Sequence, residues 1–289
     1  MKSLATDTVL GGRWRVHSLL ARGGFGQVYR AFDLLQQNRI VAVKVESYNG
    51  RHNVLRLERL LLVSMQKRRS KHLLRLLDYD HCDAYKLSYL VMKLCGPDLL
   101  HLRLSQPERR FDLHVTLFYA IQMVSAVRDL HQAGWLHRDI KSSNFCIDQD
   151  HLYLIDFGMA RPHLAPNGYP RPPRTAAAFC GSCLHASICT HRYEEMARKD
   201  DLWSVFYITV ENVCGQLPWQ GITDKRQVMK IKAHIDFFGL LSYQVKPAQV
   251  GSVLQFHRHL LSLNYYSRPD YDQLIRLFQA DLLRLQQIK

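Results

Sequence analysis

The chain has 289 residues, enough for one large two-lobed domain or two modest ones. Hydrophobic residues make up 47% and charged residues 22%, which excludes wholesale disorder and low-complexity function. The 39 Lys and Arg residues outnumber the 25 Asp and Glu residues, for a net charge of +14. We therefore expect attraction to something negative: nucleic acid, membrane head groups, nucleotide phosphates or acidic protein segments.

The sequence predicts neither secretion nor membrane insertion. Residues 1–10 lack a continuous apolar core of signal-peptide length, and the longest apolar stretch, 202–210, is too short to cross a bilayer. Seven scattered cysteines without a secretory signal are typical of free thiols in a reducing compartment. We expect a cytosolic or nuclear location and no membrane partner.

The first ninety or so residues predict a β-rich region with one main helix. Short segments rich in Val, Ile, Tyr and Phe, broken by Gly or Asn, indicate strands, and leucines at helical spacing indicate a helix over 54–66. The expected strands are 14–20, 26–32, 39–45, 73–77 and 86–92. A short connector, 93–97, follows.

Beyond the connector the apolar spacing becomes helical. The expected helices are 112–131, 202–214, 225–235 and 271–285. Segment 162–174 holds five prolines and predicts an irregular surface loop. Together these patterns predict an α+β chain with a small β-rich lobe (1–92), a hinge (93–97) and a larger helical lobe (98–289). Such a join is a natural place for a ligand cleft.

Two features of the small lobe point to phosphate binding. Residues 21–28 form a glycine-rich turn whose backbone N–H groups could lie close to phosphates, although glycine clusters are also common in plain turns. Lys44 lies on the following expected strand. A lysine that holds phosphates needs a carboxylate to fix its position. Glu58 on the next helix is the better candidate, because Glu46 shares the strand with Lys44.

The most specific signal is His137-Arg138-Asp139 followed by Asn144, with Asp156-Phe157-Gly158 starting twelve residues later. Two short apolar segments between these motifs, separated by turn-forming residues, predict a hairpin that returns Asp156 beside Asn144. Amide and carboxylate oxygens suit Mg²⁺. Asp139 is placed to accept a hydroxyl proton, and Lys141 to neutralise a transferring phosphate. Both motifs would occur together by chance on the order of once in ten thousand chains.

The order of these motifs resembles the eukaryotic protein kinase signature: the glycine-rich turn, the Val-Ala-Val-Lys run ending at Lys44, and the two later motifs. The resemblance extends from about residue 14 to 278. The runs 200–204 (Asp-Asp-Leu-Trp-Ser) and 215–219 (Gly-Gln-Leu-Pro-Trp) are similar to the casein kinase 1 group, especially its tau-tubulin kinase branch. The resemblance implies a bilobal kinase fold and ATP-dependent phosphorylation of Ser/Thr hydroxyls, with ATP and Mg²⁺ as cofactors.

The resemblance also implies roles for individual residues. Asp139 and Lys141 would be catalytic, Asn144 and Asp156 would bind the metal, and Asp201 would brace the catalytic loop. Met92 would be the gatekeeper, with the backbone of Lys93 and Cys95 bonded to adenine. The full implied nucleotide-binding set is Ala21, Arg22, Gly23, Gly24, Phe25, Gly26, Val28, Ala42, Lys44, Glu58, Met92, Lys93 and Cys95.

Several departures from the family pattern concern the nucleotide loop and the substrate. Ala21 replaces a loop glycine, which would stiffen the loop. Leu184 stands where casein kinase 1 relatives carry an arginine that helps bind an already phosphorylated substrate residue, so that preference is in doubt. Cations at 171, 174, 225 and 226 could still attract acidic protein substrates.

Three alternatives remain open at this stage. A pseudokinase scaffold would be expected to lack Lys44, Asp139, Asn144 or Asp156, and all four are present. The basic run 67–72 would suit a nucleic-acid-binding protein, but no interleaved aromatic platform or nucleic-acid motif accompanies it, so nucleic acid is not the expected partner. Zinc at Cys180 and Cys183 with His185 and His191 lacks a distant partner pair. We expect the chain to act as a monomer.

Overall fold

The computed structural model describes residues 3–24, 26–47 and 54–287, and the chain divides into two compact units. The first unit comprises residues 1–96 together with 156–158, and the second comprises 97–155 together with 159–289. The first change of unit therefore falls between Gly96 and Pro97, inside the segment expected as a hinge. The expected boundaries at 92 and 98 stay a prediction.

The first unit is built on a six-stranded antiparallel sheet with strand order β1-β2-β3-β4-β6-β5. Its elements are β1 (Val9–Leu10), β2 (Trp14–Gly23), β3 (Gly26–Asp33), β4 (Arg39–Ser47), α1 (Val54–Lys67), β5 (Leu76–Cys82), a 3₁₀ turn (Asp83–Tyr85) and β6 (Leu87–Lys93). The strand expected at 73–77 begins only at Leu76. Leu73 and Leu74 are buried in the segment before it, where Leu73 forms an isolated β-bridge and Leu74 belongs to no strand.

Side-chain alternation along β4 separates the core of this unit from its functional face. Val41, Val43 and Val45 are fully buried in one cluster with Trp14 and other strand residues. Because successive side chains of a strand point to opposite faces, Ala42 and Lys44 project from the other face of the sheet. The strand thus holds an apolar core on one side and a lysine on the other.

The second unit is mainly helical. Its elements are α2 (Leu99–Leu104), α3 (Leu113–Gln132), β7 (Trp135–Leu136), a 3₁₀ turn (Ser142–Asn144), β8 (Phe145–Asp148), β9 (His151–Leu154), β10 (Arg161–Pro162), α4 (Ile188–His191), α5 (Arg198–Cys214), α6 (Lys225–His234), α7 (Phe237–Ser242), a 3₁₀ turn (Pro247–Gln249), α8 (Gly251–Leu261) and α9 (Tyr271–Gln287). The sheet of the first unit and the helices of the second confirm the predicted α+β class.

Helix α5 begins four residues before the expected start at 202. The cause is the acidic pair at its first turn, which the apolar spacing used to place the helix does not include. Asp200 is buried and accepts a hydrogen bond from the Ala197 N–H at 2.7 Å, which caps the helix start. Helices α2, α4, α7 and α8 were not predicted, and three of them have six or fewer residues, too few to show helical periodicity.

The predicted hairpin between the two signature motifs is confirmed. Strands β8 and β9 pair antiparallel, from Phe145 opposite Leu154 to Asp148 opposite His151. Segment 162–174 contains no helix, as expected from its prolines. Over the parts of the chain that the structure describes, no helix combines the length and apolarity needed to span a bilayer. All seven cysteines are free thiols.

Candidate active site

Lys44 is the centre of a charged cluster in the first unit. Its Nζ donates to Glu58 Oε2 at 2.6 Å and to Asp156 Oδ1 at 2.9 Å. Lys44 and Glu58 are buried, whereas the Asp156 side chain is 39% exposed. Burial alone would lower the pKa of Lys44, but the charges of Glu58 and Asp156 outweigh burial and hold that pKa above its ordinary value. Lys44 is therefore a fixed cation, and its pairing with Glu58 is as predicted.

Strand pairing and one capping contact explain how Lys44 and Glu58 meet. Lys44 lies opposite Val28 on β3 and Leu90 on β6, so the middle of the sheet sets its position. Glu46 Oε2 accepts the N–H of Leu55 at 2.8 Å, at the start of helix α1. Glu46 therefore stabilises the helix that carries Glu58, which explains why two nearby carboxylates have different roles.

The glycine-rich turn joins β2 to β3, with Gly23 opposite Gly26. Gly26 has φ +138°, and a Cβ there would lie 2.1 Å from the Val45 carbonyl oxygen, so only glycine fits. Ala21 pairs with Val28 and is not among the residues with positive φ, so this departure from the family pattern strains no backbone. Arg22 donates to Ser3 Oγ at 2.6 Å, and Gly24 lies in the turn. Phe25 lies outside the described residues.

The residues expected to surround adenine lie at the end of β6 and just after it. Ala42 pairs with Met92 across β4 and β6, and both side chains are at most 9% exposed. Lys93 is the last residue of β6 and lies opposite Val41. Cys95 follows and is partly buried. The gatekeeper and adenine-binding roles stay predictions.

Both carboxylate oxygens of Asp139 accept hydrogen bonds within the second unit. Oδ2 accepts from Lys141 Nζ at 2.8 Å, and Oδ1 accepts from the backbone N–H of Ser182 at 2.9 Å. Asn144 Nδ2 donates to the Asp139 carbonyl oxygen at 2.9 Å. The Asp139 side chain is 14% exposed and that of Lys141 32%. The three predicted residues of this loop thus form one hydrogen-bonded group, in which Asp139 retains some access to solvent.

Asp201 anchors the loop from within the second unit. It is buried, and its oxygens accept the backbone N–H groups of His137 and Arg138 at 2.8 Å each, together with His131 Nε2 at 2.9 Å. Burial by itself would raise the pKa of Asp201, but the contacts with His131 and His137 lower it, so this carboxylate stays charged. Arg138 has φ +68°, a conformation that needs such external support.

Gly181 brings the segment that follows the Asp-Phe-Gly motif against the loop that carries Asp139. Its φ is +88°, and a Cβ there would lie 2.6 Å from the Arg138 carbonyl oxygen and 3.3 Å from Asp139 Oδ1. The missing side chain lets the Ser182 N–H reach Asp139. The sequence does not mark Ser182 for this role, because a backbone donor leaves no side-chain signal. Ser187, in the same segment, is buried and donates to Asp200 Oδ1 at 2.6 Å.

Glu211 links three parts of the second unit, and sequence reasoning missed it. It accepts Arg103 Nη2 at 2.7 Å, bonds His185 Nε2 at 2.9 Å and accepts Ser142 Oγ at 3.4 Å. Burial would raise the pKa of Glu211, but His185 and Arg103 outweigh burial and lower it. Because its partners lie up to 108 positions away in the chain, no local pattern marks this residue.

The cations expected to attract acidic substrates differ in their surroundings. Arg174 pairs with Glu195, which also bonds Arg161 Nη1 at 3.2 Å. Lys225 Nζ lies 3.9 Å from the centre of the Phe179 ring. Among the described residues, neither Lys225, Arg171 nor Arg226 has a carboxylate partner. Arg174 is therefore a weaker candidate for substrate attraction than the sequence suggests.

Metal binding can be judged from donor chemistry. The bond from Asn144 Nδ2 to Asp139 leaves the opposite atom of the amide, Oδ1, as the potential ligand, and Asp156 is a partly exposed carboxylate. Both donors suit a hard cation such as Mg²⁺. For zinc, no group of three His, Cys, Asp or Glu residues within 3–24, 26–47 and 54–287 could hold a metal. Burial also raises the pKa of the Cys180 thiol, which disfavours thiolate ligation.

Comparison with known proteins agrees with this geometry. Residues 14–277 match the protein kinase domain family. The chain is 36% identical over 272 residues to a protein of Dictyostelium discoideum described as a probable serine/threonine-protein kinase, covering 92% of this chain and 53% of that protein. It is 33% identical over 272 residues to the serine/threonine-protein kinase spe-6 of Caenorhabditis elegans, covering 91% of this chain and 70% of that one.

The chain thus spans about half the length of the Dictyostelium relative and more than two thirds of spe-6. The family match extends over most of the chain and includes every signature motif described above. The paired Lys44 and Glu58 and the Asp139–Lys141–Asn144 group lie at the positions that this signature requires. The chain belongs to the protein kinase family.

Proposed function

We propose that the protein transfers the γ-phosphoryl group of ATP to Ser or Thr hydroxyls of protein substrates. The observation that carries this proposal is the Lys44 ammonium, buried and paired with both Glu58 and Asp156. A scaffold without nucleotide chemistry has no need to maintain a buried cation at the cost of desolvating it. The names of the two relatives support Ser/Thr specificity.

Each polar residue has a distinct proposed role. Lys44 binds the α- and β-phosphates, and Glu58 keeps its ammonium in place. Asp139 accepts the proton of the attacking hydroxyl as its oxygen bonds to the γ-phosphorus and the bond to the ADP oxygen breaks. Lys141 stabilises the negative charge that builds up on the transferred group. The bond between Lys141 and Asp139 keeps the cation next to the base.

We assign Asn144 and Asp156 as ligands of Mg²⁺, since both supply oxygen donors. When bound, the ion would neutralise phosphate charge during transfer. The backbone of Lys93 and Cys95 is proposed to bond adenine, next to the Met92 gatekeeper. The glycine-rich turn, with Gly23, Gly24 and Gly26, is proposed to cover the phosphates with backbone N–H groups.

The finer classification and the substrate are also proposals. The runs at 200–204 and 215–219 favour the casein kinase 1 group and its tau-tubulin kinase branch. The net charge of +14 favours acidic substrates, as do Lys225, Arg226 and Arg171, which have no carboxylate partner among the described residues. Free thiols at all seven cysteines suit a cytosolic or nuclear location. Action as a monomer stays a prediction.

The test compares the protein with its Asp139→Asn variant. Phosphate transfer from ATP with Mg²⁺ to casein and to an acidic Ser peptide is measured for both purified proteins. The variant keeps the shape of the side chain but loses the base, so we expect turnover to fall at least about 100-fold. Equal turnover by the two proteins would favour a pseudokinase scaffold. Phosphorylation of tyrosine alone would contradict the proposed specificity.

A further inference from the structure

A cavity lies at the end of helix α1, in the first unit. It encloses about 440 Å³, within the roughly 300–1,000 Å³ range of ligand pockets. Its apolar lining includes Met65, Leu73 and Leu74, all buried, and its polar lining includes Arg69 and Arg75, both exposed. The proposed kinase mechanism uses none of these residues.

The walls of this cavity are held in place by hydrogen bonds. Gln66 Nε2 donates to the Leu76 carbonyl oxygen at 3.0 Å and so joins the end of α1 to the start of β5. The Met65 carbonyl oxygen accepts the N–H of Arg68 at 3.1 Å, which closes the last turn of the helix. The cavity is therefore preformed, which lowers the ordering cost of binding.

Arg69 occupies a backbone position that normally belongs to glycine. Its φ is +54°, its N–H donates to the Gln66 carbonyl oxygen, and the next N–H donates to Met65, five residues back. This is the helix-ending motif in which the left-handed residue is usually Gly, because a Cβ is disfavoured there. An arginine at this position accepts a conformational cost and places a guanidinium at the cavity.

The charge around the cavity is of one sign. Lys67, Arg68 and Lys71 adjoin Arg69 in the basic run that the kinase chemistry leaves unexplained. None of the described residues that line the cavity is acidic. Over the described ranges, Arg69 and Arg75 form no ion pair with a carboxylate. The cavity thus combines apolar walls with two available guanidinium groups.

We propose that this cavity is a docking site for an acidic segment of a partner protein. One apolar side chain of the segment enters between Met65 and Leu73, and flanking Asp or Glu carboxylates pair with Arg69 and Arg75. A nucleic acid fits less well, because the part of the cavity lining that the structure describes holds no aromatic side chain to stack on a base.

The test measures binding of a fluorescein-labelled peptide with one leucine between two pairs of glutamates, by fluorescence anisotropy without ATP. The result does not depend on the proposed kinase activity. We expect Arg69→Gly and Arg75→Ala each to weaken binding about fivefold, as for a lost ion pair at an exposed site. Arg69→Gly suits the left-handed backbone, so its melting temperature should equal or exceed that of the parent protein.

Two controls separate docking from general attraction. Arg68→Ala removes the same charge from the same run but outside the cavity lining, and it should weaken binding less than about twofold. A peptide with serine in place of leucine should bind more weakly than the leucine peptide. The proposal would be overturned if all three variants lost affinity equally, if both peptides bound equally well, or if no binding occurred at about 1 mM peptide. It would also be overturned if duplex DNA bound more tightly than the peptide and lost affinity in the same variants.

Discussion

The position of the Asp139 carboxylate depends on the absence of a Cβ atom at Gly181. A Cβ at Gly181 would overlap the Arg138 carbonyl oxygen and come within 3.3 Å of Asp139 Oδ1. The hydrogen bond from Ser182 to Asp139 requires this close approach. A residue distant in the chain, with no reactive group of its own, therefore helps to orient the proposed base.

We predict that Gly181→Ala lowers kcat at least about 100-fold, because even a small displacement of a catalytic group has an effect of that size. Steady-state kinetics with ATP and an acidic peptide would measure this. Gly168→Ala is the matched control, since Gly168 has φ +81° but no atom within 4 Å of the added Cβ. A kcat for Gly181→Ala within threefold of the Gly168→Ala value would contradict the prediction.

Removing Lys44 should affect stability as well as activity. Lys44→Met leaves Glu58 buried without its cation, and breaking a buried pair costs about 3–5 kcal/mol. Activity should fall at least about 100-fold through loss of phosphate binding. Urea denaturation and phosphate-transfer assays would measure the two effects.

The double variant Lys44→Met/Glu58→Gln separates these effects. It should regain part of the lost stability, because no buried charge remains unpaired, but none of the activity. Activity in either variant would argue against the role of Lys44. A double variant no more stable than the single one would show that the buried carboxylate is not the source of the instability.

At the scale of elements, helix α6 holds the segment that follows Ser182. Its Lys232 is 4% exposed and donates to the carbonyl oxygens of Cys183 at 2.9 Å and Ala186 at 2.7 Å. Its Nζ also lies 5.1 Å from the Trp219 ring centre. Burial lowers the pKa of Lys232 to about 7. One helix thus positions the segment through a lysine with no carboxylate partner among the described residues.

This depressed pKa predicts a pH dependence of stability. Between about pH 7 and pH 10.5 the unfolded chain binds a proton at Lys232 that the folded chain has lost, so the free energy of unfolding rises with pH. Relative to Lys232→Met, the parent protein should gain about 2 kcal/mol from pH 7 to pH 9. The neighbouring His191, whose burial lowers its pKa to about 4, stays neutral in this range.

Urea denaturation at several pH values would measure the difference. Lys230→Met removes an exposed lysine of the same helix but keeps Lys232, so its free energy of unfolding should show the same pH dependence as that of the parent protein. If the free energies of unfolding of the parent protein and Lys232→Met changed with pH by the same amount, the prediction would be contradicted. The buried lysine would then have the same pKa in the folded and unfolded states.

At the scale of the whole molecule, the dominant property is the net charge of +14. Such an excess of positive charge attracts acidic proteins, and salt screens this attraction and reduces its range. The ion pair between Arg174 and Glu195 neutralises one of the expected cations, whereas Arg171, Lys225 and Arg226 have no carboxylate partner among the described residues. Substrate attraction should therefore come from the overall field as well as from single contacts.

We predict that kcat/KM for an acidic Ser peptide falls about tenfold between about 50 mM and about 500 mM NaCl. A neutral peptide with the same acceptor serine should change less than about twofold, because it does not experience the field. Initial-rate assays with both peptides would measure the effect. Equal salt dependence for the two peptides would show that charge does not guide substrate choice.

The signature motifs, the α+β class and the hairpin between β8 and β9 were predictable from the sequence. Each depends on residues that are close together in the sequence. The motifs depend on residue types at fixed spacing, the strands and helices on the spacing of apolar residues, and the hairpin on turn-forming residues. The choice of Glu58 over Glu46 was also predictable, because Glu46 shares the strand with Lys44 whereas Glu58 lies on the helix that follows it. These inferences need no knowledge of distant contacts.

Tertiary structure decided the rest. The N–H of Ser182 meets Asp139 across 43 positions and Glu211 meets Arg103 across 108, and such pairs leave no pattern in the chain. Likewise, Asp200 is polar in sequence but buried in the fold, where its contacts with Ala197 and Ser187 move the start of α5. Burial and long-range contact depend on how the whole chain packs, whereas motif and periodicity are properties of neighbouring residues.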